Sequence, residues 1–166
     1  MLKVGTHFQF PVPEGWKDTK EGFRIVMKGP RQEALIVSGY FIQGEGPGKE
    51  KCSLEDRIFQ NTISAAYSTV ADAELVIDSE LARDDTIANL PCWTLLSHSV
   101  KEDLFFGQAI FRNSGVLFVT FEGPADEKSL ADFRRFLNNV EAASEQLAAR
   151  DASSGPRCAR PLRARP

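Results

Sequence analysis

Hydrophobic and polar positions along this chain follow two periods. Phe8 and Phe10 alternate with His7 and Gln9, the period of two that a strand shows when one face is buried. Pro11 and Pro13 end that strand, because each fixes φ and withdraws a backbone donor. Residues 23–27 predict a second strand, closed by Gly29-Pro30, and residues 33–43 a third. The third is apolar on both faces, which places it inside a sheet. Further on, Leu75, Ile77 and Leu81 alternate with Asp78 and Glu80, predicting a strand with one wet face or an exposed edge. Apolar runs at 90–100, 104–112 and 116–122 follow. The turns Lys101-Glu102-Asp103 and Asn113-Ser114-Gly115 separate them, so they predict a meander.

The period changes to three and four in two places. Ser53 is a candidate helix N-cap, with Glu55 and Asp56 in the first turn near the positive end of the dipole. Leu54, Ile58, Thr62 and Ala65 recur at helical spacing, with Phe59 and Ile63 widening the stripe, and predict a helix to about Tyr67. A last helix begins at 124–126 and carries Leu130, Phe133, Phe136, Leu137, Val140 and Leu147. The order is three strands, a helix, four strands, a helix. Hairpin-length connections imply a mainly antiparallel sheet of about six or seven strands, flanked by helices, in an α+β domain.

Charge divides the chain in a way that its net value of −3 hides. Residues 149–166 hold five arginines and one aspartate, while residues 1–148 are acidic. The expected organisation is one domain over 1–148 and a basic tail over 149–166, too poor in apolar residues to offset the entropy of ordering. The acidic domain repels phosphates and argues against a nucleic-acid partner. No apolar run reaches the roughly 20 residues of a membrane span, and residues 1–7 have no apolar stretch suited to a secretory signal. A cytoplasmic protein is the expectation. Cys52, Cys92 and Cys158 agree with a reducing compartment, since they are odd in number, widely spaced and without metal-ligand spacing.

Catalytic chemistry finds little support. His7 and His98 lie in different strands with no local carboxylate spacing, so no metal site is expected. The G-x-S-x-G elbow and a Cys-His pattern are absent. Asp84-Asp85 and Glu102-Asp103 read as solvated turn charges rather than an acid–base pair. The glycine-rich segment 44–48 is not a phosphate loop and precedes an acidic helix start. No cofactor is expected. What stands out is aromatic strand surface: Trp93, Phe105, Phe106, Phe111, Phe118 and Phe121 fill a core or leave part of a sheet face open to a partner.

Five segments carry a resemblance to a known group: 8–18 (FQFPVPEGWKD), 34–46 (ALIVSGYFIQGEG), 90–96 (LPCWTLL), 107–124 (GQAIFRNSGVLFVTFEGP) and 131–140 (ADFRRFLNNV). Over residues 6–145 the chain resembles the PsbP-like superfamily. That group includes the photosystem PsbP proteins, a yeast Ran-binding import factor, DcrB-like proteins and the Eag chaperones of type VI secretion. The resemblance implies an α/β/α sandwich and non-catalytic binding of other proteins. The basic tail is not a feature of that group, and no binding residue carries over.

The expected function is a bacterial protein-binding module, an immunity protein or a chaperone/adaptor for a secreted toxin or effector, with a homodimer as a further possibility. Its alternatives are a carrier of a small hydrophobic ligand and a small enzyme. The candidate partner surface is Asp72, Glu74, Asp78, Glu80, Asp84 and Asp85, against a competing reading as an edge kept charged to prevent aggregation. The segment 10–18 reads as a corner, with Gly15 permitting the turn and Trp16 pinning it to the core.

Overall fold

The computed structural model describes residues 1–41, 49–81 and 86–143. Strands β1 (Leu2–Val4), β2 (Phe8–Phe10), β3 (Lys17–Glu21), β4 (Arg24–Lys28) and β5 (Ala34–Phe41) precede helix α1 (Lys49–Asp72). Strands β6 (Val76–Leu81), β7 (Thr86–Ile87), β8 (Leu90–Ser99), β9 (Leu104–Arg112) and β10 (Gly115–Pro124) follow it. Helix α2 (Glu127–Asn138) and β11 (Glu141–Ala142) close the described chain.

The fold is α+β. Eight strands form a mainly antiparallel sheet in the order β3-β4-β5-β10-β9-β8-β6, with β7 paired to β8 beside that path. The expected meander is β8, β9 and β10, in register from Cys92 opposite Phe111 to Val116 opposite Arg112. A separate three-stranded sheet, β1-β2-β11, joins the first residues to those after α2.

Alternation along β9 sends neighbouring side chains to opposite faces. Phe111 joins the larger core with Phe133, Phe136 and Leu137 of α2 and with Phe8 and Phe10 of the small sheet. Ile110, one residue earlier, packs with Phe59, Ala66 and Val70 of α1. The two helices therefore lie against opposite faces of the same strands. Burial of a single large apolar side chain contributes roughly 1.5–3 kcal/mol, so Trp93, Phe111, Phe121 and Phe133, all fully buried, are major anchors of these layers.

Several sequence expectations need correction. Helix α1 begins four residues before Ser53 and runs past Tyr67 to Asp72, so Ser53 is interior and Glu55 and Asp56 are not in the first turn. Its buried line is Glu55, Phe59, Thr62, Ala66 and Val70, whereas Leu54 and Ala65 are exposed. A Schellman motif ends the helix: Leu75 N–H donates to Val70 O at 2.9 Å and Glu74 N–H to Ala71 O at 3.1 Å. Glu74 supplies the left-handed residue at φ 53°, and Leu75 packs in the same apolar cluster as Val70.

Helix α2 is shorter than expected, ending at Asn138, and Val140 is buried beyond it; Leu147 lies outside the described residues. Asp126 caps α2 by accepting from Ser129 N–H at 2.9 Å. Phe23 is not part of a strand core but stands 98% exposed at the tip of the β3–β4 hairpin.

The segment 10–18 is a corner. Trp16 N–H donates to Pro13 O at 3.0 Å, and Gly15 supplies φ +81°, a conformation disfavoured for other residues. The Trp16 ring then packs 6.1 Å from that of Phe121.

Candidate interaction edge

Among the described strands, β6 ends the large sheet on one side, as β3 does on the other. The two edges differ in chemistry. Strand β3 is exposed along its length and carries Lys17, Asp18, Lys20 and Glu21, an even mixture of sign that discourages pairing with another strand. Strand β6 exposes Val76 at 48% and Ile77 at 46%, and Val100 stands 76% exposed just beyond β8. Acidic side chains surround these apolar ones.

Asp72 is exposed at the last residue of α1. Glu74 occupies the helix terminus and pairs with Lys101 at 2.8 Å, both side chains largely in solvent. Asp78 accepts from His98 Nδ1 at 2.8 Å when that nitrogen is protonated. Glu80 accepts from the Trp93 indole N–H at 3.3 Å. Its carboxylate, together with burial as the larger cause, pushes the Tyr67 hydroxyl up to about 12. Asp84 and Asp85 lie outside the described residues.

The register of β6 departs from simple alternation. Val76 lies opposite His98 and Ile77 opposite Ser97, but Ser79 lies opposite Leu96, so one extra residue is inserted at Asp78. Such a bulge turns the side chains that follow it to the other face. Asp78 therefore meets His98 while Glu80 meets Trp93, five residues apart on β8 and on opposite faces. The four described acidic residues share one edge of the sheet without forming one flat patch.

Two charged clusters were not found by sequence reasoning. Under α1, Arg112 is 3% exposed and reaches both Glu55, fully buried, at 3.5 Å, and Asp56. Its guanidinium also lies 4.7 Å from the centre of the Phe59 ring. Burial raises the Glu55 carboxyl above its ordinary value, and Arg112 offsets this in part. Sequence reasoning did not single out Arg112, a lone charge in an aromatic strand. Its two-residue offset from Ile110 was the available signal, since that places it on the α1 face.

At the opposite face, Arg31 donates to Glu33 at 3.0 Å and to Asp126 at 2.7 and 3.2 Å. This ties the β4–β5 turn to the cap of α2. The Arg31 hydrogen bond holds the Asp126 carboxyl well below the usual carboxylate range. Each of the two clusters is an arginine held between carboxylates, which fixes elements to one another.

No group of three metal-ligating side chains occurs among the described residues, and no described helix is long and apolar enough to cross a membrane. Cys92 is a buried free thiol whose ionisation burial opposes. Cys52 is disulfide-bonded.

No family model and no curated protein matches this sequence. Among solved structures, the chain is similar to a crystal structure from Bacteroides thetaiotaomicron VPI-5482, at 14% identity and a TM-score of 0.46. The match covers 83% of this chain and 46% of that one, so this chain spans less than half of that protein's length. A likeness this slight bears on neither fold family nor function.

Proposed function

We propose that this protein is a non-catalytic bacterial protein-binding module with a PsbP-like α/β/α sandwich, serving as an immunity protein or chaperone/adaptor for a secreted toxin effector. The observation that carries the reading is the β6 edge, where half-exposed Val76 and Ile77 sit among Asp72, Glu74, Asp78 and Glu80. An apolar centre with a charged rim suits docking of another protein. Net acidity steers it toward a basic partner. Action in the cytoplasm belongs to the same reading.

Co-expression with toxin effectors encoded beside this protein tests the proposal. Rescue from killing assigns immunity. Stabilisation of an effector without rescue assigns a chaperone. A protein that does neither, and copurifies with no partner, refutes the module.

A further inference from the structure

The geometry points to strand addition at β6: a basic, extended segment of the partner pairs with this edge through main-chain hydrogen bonds. The inference rests on the protein-binding reading above and gives it a mode of contact. Strand β6 pairs with β8 on one side and with no described strand on the other, so among the described residues its outer row of backbone donors and acceptors faces no strand, the arrangement that strand addition uses. Val76 and Ile77 supply apolar contact on the two faces of the sheet, as an added strand with alternating side chains requires.

Charge selects the occupant. Asp72, Glu74, Asp78 and Glu80 outnumber Lys101 and His98 along this edge. A second copy of the chain would bring the same acidic residues toward these on both faces of the edge and be repelled, whereas a lysine- or arginine-bearing strand is attracted. The opposite edge gives no such selection, because β3 presents both signs equally.

The test uses the full chain and a synthetic peptide alternating lysine with valine. Two control peptides replace every lysine by glutamate or methylate alternate backbone nitrogens. The lysine peptide should slow amide hydrogen exchange across residues 76–81 and bind at least about tenfold tighter than either control. Its affinity should fall as salt is raised, because exposed charges are screened over ~10 Å at 0.1 M salt. Ile77→Lys should weaken the peptide about tenfold with little change in thermal stability, since that side chain is already half in solvent.

Equal binding of the N-methylated peptide, or protection at β3 in place of β6, overturns strand addition. So does a dimer, seen by sedimentation, with β6 amides protected before peptide is added. If the full chain copurifies with a protein partner equally well with and without Ile77→Lys, the edge is refuted while the protein-binding reading stands. A lipid-like adduct in native mass spectra, with no protein partner, refutes both.

Discussion

Replacing Arg112 by methionine keeps most of the length of the side chain and removes its charge. In the native fold this guanidinium lies beneath α1, 3.5 Å from the fully buried Glu55 and against the Phe59 ring. Removing one partner of a buried ion pair costs about 3–5 kcal/mol, because the other charge is left without compensation. Loss of the contact with Phe59 belongs within that figure, at roughly 0.5–2 kcal/mol. Asp56 adds little, since its side chain is 56% exposed and water replaces the arginine there. Against a total stability of about 5–15 kcal/mol for a domain, this is a severe loss.

Urea unfolding at neutral pH should show it as a large drop in midpoint. Combining Arg112→Met with Glu55→Gln should recover most of the loss, because no buried charge then remains unpaired. The pH dependence follows from the direction of the Glu55 shift. Burial raises its folded-state carboxyl above the unfolded value of about 4.3. Methionine at 112 removes a cause that lowers it, so the rise grows. With the folded value the higher one, stability is fully present below pH 4.3 and is lost as pH rises through the folded value. The Arg112→Met defect should therefore shrink in acid. A single-variant cost below about 1 kcal/mol, or an equal cost in the Glu55→Gln background, would refute the reasoning.

Three other outcomes are expected. Glu74→Gly should stabilise the protein by roughly 0.5–1 kcal/mol in urea unfolding, because glycine adopts the left-handed end of α1 without strain; its exposed pair with Lys101 adds little. Gly107→Ala should cost about 1–3 kcal/mol by the same measurement, since a methyl group there would come 2.5 Å from the Phe133 ring on α2. Asp126→Asn should lower the melting temperature at neutral pH by weakening the cap of α2 and its tie to Arg31. Because the folded Asp126 value is depressed, its contribution is present above an unfolded value of about 3.9 and is lost as pH falls through the folded value. Scans in increasing acid below pH 4 should therefore bring the two melting temperatures together.

What the sequence determined by itself was local. Apolar runs over 90–122, separated by the turns Lys101-Glu102-Asp103 and Asn113-Ser114-Gly115, specified the β8–β10 meander, because hairpin-length turns bring successive strands together antiparallel. Pro11, Pro13 and Gly15 specified the corner, since φ limits and a missing donor act without distant partners. The tertiary structure decided whatever depended on a neighbour far along the chain. Strand β3, Lys-Asp-Thr-Lys-Glu, has no apolar alternation and is a strand because its backbone pairs with β4. Helix α1 turned Glu55 inward and Leu54 outward because Arg112 waits on the sheet below. At the candidate edge, the sequence displayed the acidic residues, but only strand order and register showed that β6 is terminal among the described strands and that the Asp78 bulge divides them between two faces. Hydrophobic periodicity records which side of an element is buried, whereas pairing and charge compensation depend on the groups that folding brings opposite.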